Sequence, residues 1–328
     1  MPPSISDSLI SWYRDHRRDL PWRKTSDPYE ILVSEIMLQQ TRSATVVPYF
    51  EKFIAQFPSA KHLADATDDD ALAAWQGLGY YRRLRNLKAA AKEITENGWS
   101  QDLESLPGVG RYTGRAVGSI AFGKQEACAD GNVRRVMSRI CGRDLSLTQA
   151  EEASTVYMES RRAAEWNQAV MELGATVCTP VTPACAGCPA RHGCIAFREA
   201  SVALYPSPAL RKQTVDLTQV CVCPVLDHKV GVRRGKPDEW WAGMYCFART
   251  TLAAKESPTS AAKRLGLANP QKLGSLRHVV THHRVKLESF VGDGCRESTY
   301  EWMSVDSLRL LPMPSPDRKV AGWLEKLF

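Results

Sequence analysis

Two carboxylates in this chain stand in opposite surroundings, and together they could do acid–base chemistry. Glu35 is the only charged residue between Ile31 and Leu38, in a run apolar almost all round a helix. Burial there raises a carboxyl pKa and keeps the group protonated near neutrality, as a general acid requires. Asp130 precedes Gly131-Asn132 at the start of a helix expected from Val133. Backbone N–H groups at such a position stabilise the ionised form. A protonated carboxyl beside an ionised one is the division of labour that cleavage of a glycosidic bond needs. Taken singly, Asp130 could be only an N-cap and Glu35 only a salt-bridge partner.

Two further patterns carry chemistry. Cys178, Cys185, Cys188 and Cys194 give C-x6-C-x2-C-x5-C, a close set of thiolates suited to zinc or to a [4Fe–4S] cluster. Spacing alone leaves the two metals level. The other six cysteines, at 128, 141, 221, 223, 246 and 295, are scattered and read as small apolar residues. Leu106-Pro-Gly-Val-Gly-Arg-Tyr-Thr-Gly reads as helix, tight turn, helix, with Gly108 and Gly110 permitting positive φ and a close backbone approach. The unpaired N–H groups of the following helix would welcome a phosphate without reading a base. Arg111 and Arg115 flank this hairpin. Two more basic runs, Arg82, Arg83, Arg85 with Lys88, and Arg134, Arg135 with Arg139, suggest a polyanion footprint rather than solvated helix faces.

The elements that must position these residues fall into two parts. Up to about residue 199 the pattern is helical, with apolar stretches at Ile31–Leu38, Ala71–Trp75 and Ala116–Phe122 and an Ala-rich helix former at Leu87–Ile94. Residues 200–215, with Pro206, Pro208 and the pair Arg211-Lys212, read as a linker. Beyond it, strands are predicted at Thr218–Val225, Lys229–Arg233, Val285–Val291 and Tyr300–Met303, and helices at Thr259–Leu265 and Asp317–Leu327. The expected architecture is therefore a mainly α N-terminal domain (1–199), with the hairpin at 102–122 and the cysteine loop at 178–194, plus a smaller α/β domain at 216–328. A length of 328 residues suits two domains, and a net charge of +7 suits an anionic partner, nucleic acid before membrane. No apolar run approaches the ~18 residues of a membrane helix, and the N-terminus lacks a secretory pattern. A cytoplasmic location with reduced cysteines is expected.

With these residues in view, the chain resembles the helix-hairpin-helix, iron–sulfur DNA glycosylases, and within them those of the MutY type that act on adenine. The resemblance rests on Leu20-Pro-Trp-Arg23, Ser34-Glu-Ile-Met-Leu-Gln-Gln-Thr41, Trp75-Gln-Gly-Leu-Gly-Tyr-Tyr81, Leu106-Pro-Gly-Val-Gly110, Asp130-Gly-Asn-Val133 and the four cysteines. It implies a catalytic acid at Glu35, a carboxylate at Asp130 that stabilises or attacks the sugar cation, an assisting hydroxyl at Tyr112 and a hydrogen-bonding amide at Asn132. It places Trp22, Arg23 and Gln168 around an extruded adenine, and Gln40 and Tyr80 as wedges beside the opposing base, with Thr41 next to them. Gly108, Gly110, Arg83 and Arg111 would meet the DNA backbone, and Cys178, Cys185, Cys188 and Cys194 would hold a [4Fe–4S] cluster. Relatives that cut the strand carry a lysine two residues after the second hairpin glycine. Here that residue is Tyr112, which cannot form an imine, so plain hydrolysis to an abasic site is implied.

The implied substrate is double-stranded DNA with adenine opposite 8-oxoguanine or guanine, met by a monomer near the nucleoid of a bacterial-type cell. The stretches Gly231-Val-Arg-Arg and Trp240–Phe247 resemble a Nudix-like lesion-reading domain, but no magnesium-binding glutamate helix follows, so no pyrophosphatase activity is expected. In the lesion-reading loop this chain has Leu276-Arg-His278 and then Val280-Thr-His282 where the family has Phe-Ser-His. Thr281 keeps the hydroxyl and His282 the imidazole. Val280 does not replace the ring.

Overall fold

The structure is a computed structural model that describes residues 4–158, 162–207, 213–294 and 299–328. Pro208, Arg211 and Lys212 of the expected linker, and Cys295, lie outside the described residues. The helices in chain order are α1 (Ile5–His16), α2 (Pro28–Leu38), α3 (Ser43–Gln56), α4 (Ala60–Asp65), α5 (Asp68–Trp75), α6 (Arg82–Asn97), α7 (Arg111–Phe122), α8 (Gly131–Ile140), α9 (Leu147–Tyr157), α10 (Ala163–Thr176) and α11 (Ile195–Arg198). Their starts follow local chemistry. Ser4, Asp27, Ser59 and Asp130 each accept backbone N–H bonds as N-caps, and Ser146 with Gln149 forms a reciprocal capping box. Pro28 at the first position of α2 loses no hydrogen bond there.

Packing divides the chain into two compact units. One comprises Met1–Ala66 and Arg82–Ala209, the other Thr67–Tyr81 and Leu210–Phe328. In the first, α1, α8, α9 and α10 enclose a core that includes Leu9, Ile10, Val133, Met137, Trp166, Val170 and Leu173. Each such side chain taken from water contributes about 1.5–3 kcal/mol, which is what holds the short helices in place. The buried indole of Trp166 donates to Ser154 Oγ at 2.8 Å. Helix α2 packs against α3 and α7.

The second unit is built on a seven-stranded mixed sheet: β1 (Val215–Leu226), β2 (Lys229–Arg234), β3 (Tyr245–Cys246), β4 (Ala248–Thr251), β5 (Ala268–Val280), β6 (His283–Asp293) and β7 (Glu301–Ser304). The central pair β1–β6 is parallel, and the other pairings are antiparallel. Helices α12 (Pro258–Arg264) and α13 (Ser315–Leu324) cover it. All four predicted strands and both predicted helices are present; β3, β4 and β5 come in addition. Helix α5 packs with this unit rather than with its neighbours in sequence. Arg234 grips Asp69 with both Nη atoms (2.5 and 2.8 Å), and Gln76 Nε2 donates to the Met313 carbonyl at 2.9 Å. No helix among the described residues is long and apolar enough to cross a membrane.

Candidate active site

Helix α2 is buried from Ile31 to Met37, and Glu35 lies within that stretch at 5% exposure. Its Oε2 is buried with no hydrogen-bond partner. Burial is the main cause that pushes the carboxyl up to about 7. The negative Asp130 adds to the rise, while the Tyr112 hydroxyl and the Arg23 charge oppose it. Tyr112 is itself buried, and its hydroxyl is pushed well above the phenol range. That hydroxyl donates to Met171 Sδ at 3.0 Å. A thioether is a weak acceptor, so the bond is easily exchanged for a better one.

Asp130 is the N-cap of α8, and it is also more than that. Its Oδ1 accepts from the backbone N–H groups of Asn132 and Val133, both at 2.8 Å, and its Oδ2 accepts from Asn132 Nδ2 at 3.0 Å. The Asn132 side-chain oxygen in turn accepts from Arg135 Nη2 at 2.8 Å, and Arg135 Nε donates to the Cys178 carbonyl at 2.7 Å. Asp130 thereby keeps a fixed rotamer while facing an open space. The stretch of chain that leads to it is pinned by buried Asn167, which accepts from Cys128 N and donates to Ser119 Oγ and the Glu126 carbonyl.

Glu35, Asp130, Tyr112 and Asn132 line one cavity of about 910 Å³, and Trp22, Arg23, Gln40, Thr41 and Gln168 line it too. Nine residues singled out from sequence thus meet in one place. The sequence reading does not single out Glu172 and Arg18, which belong to the same cavity. The fully buried Glu172 carboxylate is held by Arg18 (2.7 Å) and Arg23 (2.7 Å). Burial alone would raise it, but the two guanidinium groups override that and hold it down to about 2. A signal for it exists: Glu172 lies four residues after Gln168, on the same helix face, in a segment otherwise apolar.

The hairpin glycines differ from each other. Gly108 has φ +75°, and a Cβ there would lie 2.4 Å from Asn86 Cβ, so both the turn and the packing against α6 require glycine. Gly110 has φ −92°, contrary to the expected positive angle, and caps α7 with open space around it. Its role is close approach, not conformation. The first arm of the hairpin is a single 3-10 turn, Leu103–Ser105, rather than a helix, because Pro107 stops it. Arg111 is half exposed and bonds Glu151 through Nε at 3.0 Å and through Nη2. Arg83 corrects the sequence reading. It is 8% exposed, and its Nη1 donates to the carbonyls of Ile36 (3.1 Å), Met37 (2.8 Å) and Gln39. Arg83 caps the end of α2, so it is spent on holding the helix that carries Glu35 rather than on phosphate.

Cys178, Cys185, Cys188 and Cys194 line one gap in the first unit, with Arg139 and Val136 beside them. Arg139 is buried and donates through Nη1 to Cys178 Sγ at 3.2 Å and to the Thr179 carbonyl at 2.8 Å. Among the described residues no three His, Cys, Asp or Glu side chains stand as close as a single metal ion requires. The donor set facing the gap is all sulfur, with a guanidinium bonding one sulfur, as suits a thiolate-bound cluster. Of the remaining candidates, Tyr80 belongs to the second unit, is 46% exposed and has φ +49°. Thr281 and His282 form the two-residue turn between β5 and β6, where Val280 pairs with His283. Thr281 holds φ +54°, strained for a β-branched residue, and its hydroxyl contacts His282 Nδ1 (3.4 Å) and His283 Nδ1 (3.3 Å).

Residues 33–159 match the profile of the HhH-GPD superfamily of base excision DNA repair proteins, and residues 220–322 match the NUDIX domain. The chain thus carries an HhH-GPD base excision repair domain and a NUDIX domain. It is 29% identical to the adenine DNA glycosylase of Buchnera aphidicola subsp. Schizaphis graminum (strain Sg), across 96% of this chain and 97% of that protein. It is 40% identical to human adenine DNA glycosylase across 57% of this chain, which spans only 38% of the human protein. Among solved structures, a thermostable thymine-DNA glycosylase superposes with TM-score 0.55 at 27% identity, over 59% of this chain and 95% of that one. This HhH-GPD protein is therefore an enzyme of the glycosylase class, and the paired carboxylates of its cavity are where its chemistry is to be sought.

Proposed function

We propose that this enzyme is a monofunctional adenine DNA glycosylase that hydrolyses the N-glycosidic bond of adenine opposite 8-oxoguanine or guanine and leaves an abasic site. The observation that carries this reading is Glu35: a buried carboxyl near pKa 7 with an unpartnered oxygen, in one cavity with Asp130. A protonated carboxyl with no acceptor is poised for a substrate atom. The base must leave the duplex to reach it, and 910 Å³ admits a nucleotide. Glu35 then gives its proton to the leaving adenine. Asp130, held by three N–H donors, faces the positive charge that develops on the sugar. Water adds to the sugar, and Glu35 takes back a proton. The relatives named for adenine support the choice of base; the structural likeness to a thymine-DNA glycosylase supplies the second reading.

Tyr112 supports the monofunctional reading, since no amine stands at that point to form an imine. Cys178, Cys185, Cys188 and Cys194 would hold a [4Fe–4S] cluster. When bound, it would tie residues 178–194 into a fixed loop, to which Arg135 connects Asn132. Thr281 and His282 are the proposed readers of the opposing 8-oxoguanine, and Gln40, Thr41 and Tyr80 the residues that meet the duplex. The test is a single-turnover reaction on a duplex with adenine opposite 8-oxoguanine, resolved with and without hot alkali. Strand breaks seen only after alkali are expected. Breaks of equal yield without alkali would overturn the monofunctional assignment.

A further inference from the structure

Helix α1 packs into the core of the first unit, yet one of its buried side chains ends in a hydroxyl that reaches the candidate site. Tyr13 is 2% exposed, and its OH donates to Gln168 Oε1 on α10 at 2.9 Å, across 155 positions of chain. Gln168 is half-buried and lines the cavity around Glu35, which Tyr13 itself does not line. Gln168 Nε2 donates to the Ala164 carbonyl, one turn back on α10, at 3.3 Å. The amide is therefore held at both ends, its oxygen by Tyr13 and its nitrogen by Ala164.

The sense of that amide follows from what surrounds the hydroxyl. Arg17 acts on the Tyr13 hydroxyl as a donor, and a guanidinium can only donate. The hydroxyl must then spend its one proton on Gln168, where only the amide oxygen can accept it. Arg17 and Arg23 stand 5.9 and 5.4 Å from the centre of the Tyr13 ring, and Glu172 in turn holds Arg23 at 2.7 Å. Two cations beside the ring favour its place there.

An amide free to turn over offers a donor or an acceptor at the same point, since its oxygen and nitrogen are nearly equal in size. One of fixed sense tells the two apart. Adenine carries an amine beside a ring nitrogen, a donor beside an acceptor; hypoxanthine carries an oxygen in place of the amine. We propose, resting on the reading of this cavity as an adenine site, that Tyr13 is a positioning residue: it fixes the sense of the Gln168 amide and so sets the preference for a base with an amine over one with an oxygen. Gln168 Oε1 has a second lone pair to accept from the amine. Turning the amide to serve an oxygen would set N–H against the Tyr13 hydroxyl proton, an unsatisfied pair in a buried place.

The test is the ratio of single-turnover rates, at saturating enzyme, for duplexes with adenine and with hypoxanthine opposite 8-oxoguanine. A general loss of fit slows both reactions and cancels in the ratio. In Tyr13→Phe the ring stays in the core and the amide is free to turn, so the adenine-to-hypoxanthine ratio should fall about tenfold or more. Arg17→Met, at an exposed residue, lets the hydroxyl turn its proton away and should lower the ratio in the same direction by a smaller factor, with no core position changed. A wild type that prefers adenine, with a ratio unchanged in both folded variants, would overturn the role of Tyr13 and leave the adenine reading standing. A wild type that releases neither base would overturn the adenine reading and this inference with it.

Discussion

Replacing Glu35 by glutamine should make an inactive enzyme that is more stable than the wild type, and only above acid pH. The folded carboxyl is raised from 4.5 to about 7, chiefly by burial. At 1.36 kcal/mol per unit, that is about 3 kcal/mol. As pH rises from 4.5 to 7, the unfolded chain loses this proton while the folded chain keeps it. Native stability therefore falls by roughly 1.4 kcal/mol per pH unit across that window and then levels off. The glutamine side chain of the variant has no proton to lose. The two proteins should melt together near pH 4.5 and diverge steadily to a gap of about 3 kcal/mol above pH 7, or roughly 6–12 °C for a unit of this size. Thermal melts at pH 5, 6, 7 and 8 read the effect directly. The wild-type single-turnover rate should fall about tenfold per unit above pH 7 as the acid is lost, and the variant should show no turnover. A melting difference that does not change with pH would refute the reasoning, because it would mean that Glu35 is ionised in the folded state or reaches water.

Asp130→Asn keeps the cap of α8 through its one oxygen but sets an amide N–H against Asn132 Nδ2, so it should lose only about 1 kcal/mol of stability, its DNA affinity should stay within a few fold, and its single-turnover rate should collapse. Gly108→Ala sets a Cβ 2.4 Å from Asn86 Cβ at φ +75°. It should cost about 2–4 kcal/mol of stability by chemical denaturation, and the weakened turn should lower affinity for undamaged duplex. Arg83→Met removes the cap of α2, and loss of its carbonyl bonds should cost about 2 kcal/mol. Because Arg83 holds carbonyls rather than phosphate, the slope of log Kd for DNA against log salt should not change; a slope smaller by about one unit would return Arg83 to the DNA interface.

Much of this was legible in the sequence where the signal was local. The apolar run around Glu35 and the Asp-Gly-Asn start of α8 show burial and capping within a few residues of themselves. The alternation that predicts β1, β2, β6 and β7 is likewise short-range. What could not be read depends on partners far along the chain. Arg83 looks like one more cation in a basic run, and only the fold brings the carbonyls of Ile36 and Met37 to it. Gly108 and Gly110 look equivalent until Asn86 is found behind one of them. Strand β5 was hidden because Ala268–Val280 is mostly exposed and carries register shifts, so its apolar residues never alternate cleanly. The pair Asp69–Arg234 bridges 165 positions and draws α5 to the sheet unit, which no local pattern reports.

The most direct measurement of the central claim is chromatographic identification of the base released when the wild-type enzyme meets a duplex with adenine opposite 8-oxoguanine, beside the same duplex with thymine opposite guanine. Free adenine is expected from the first, one per abasic site formed, with none from the Glu35→Gln variant and no thymine from the second. Release of thymine without adenine would contradict the adenine assignment and move it to the second reading.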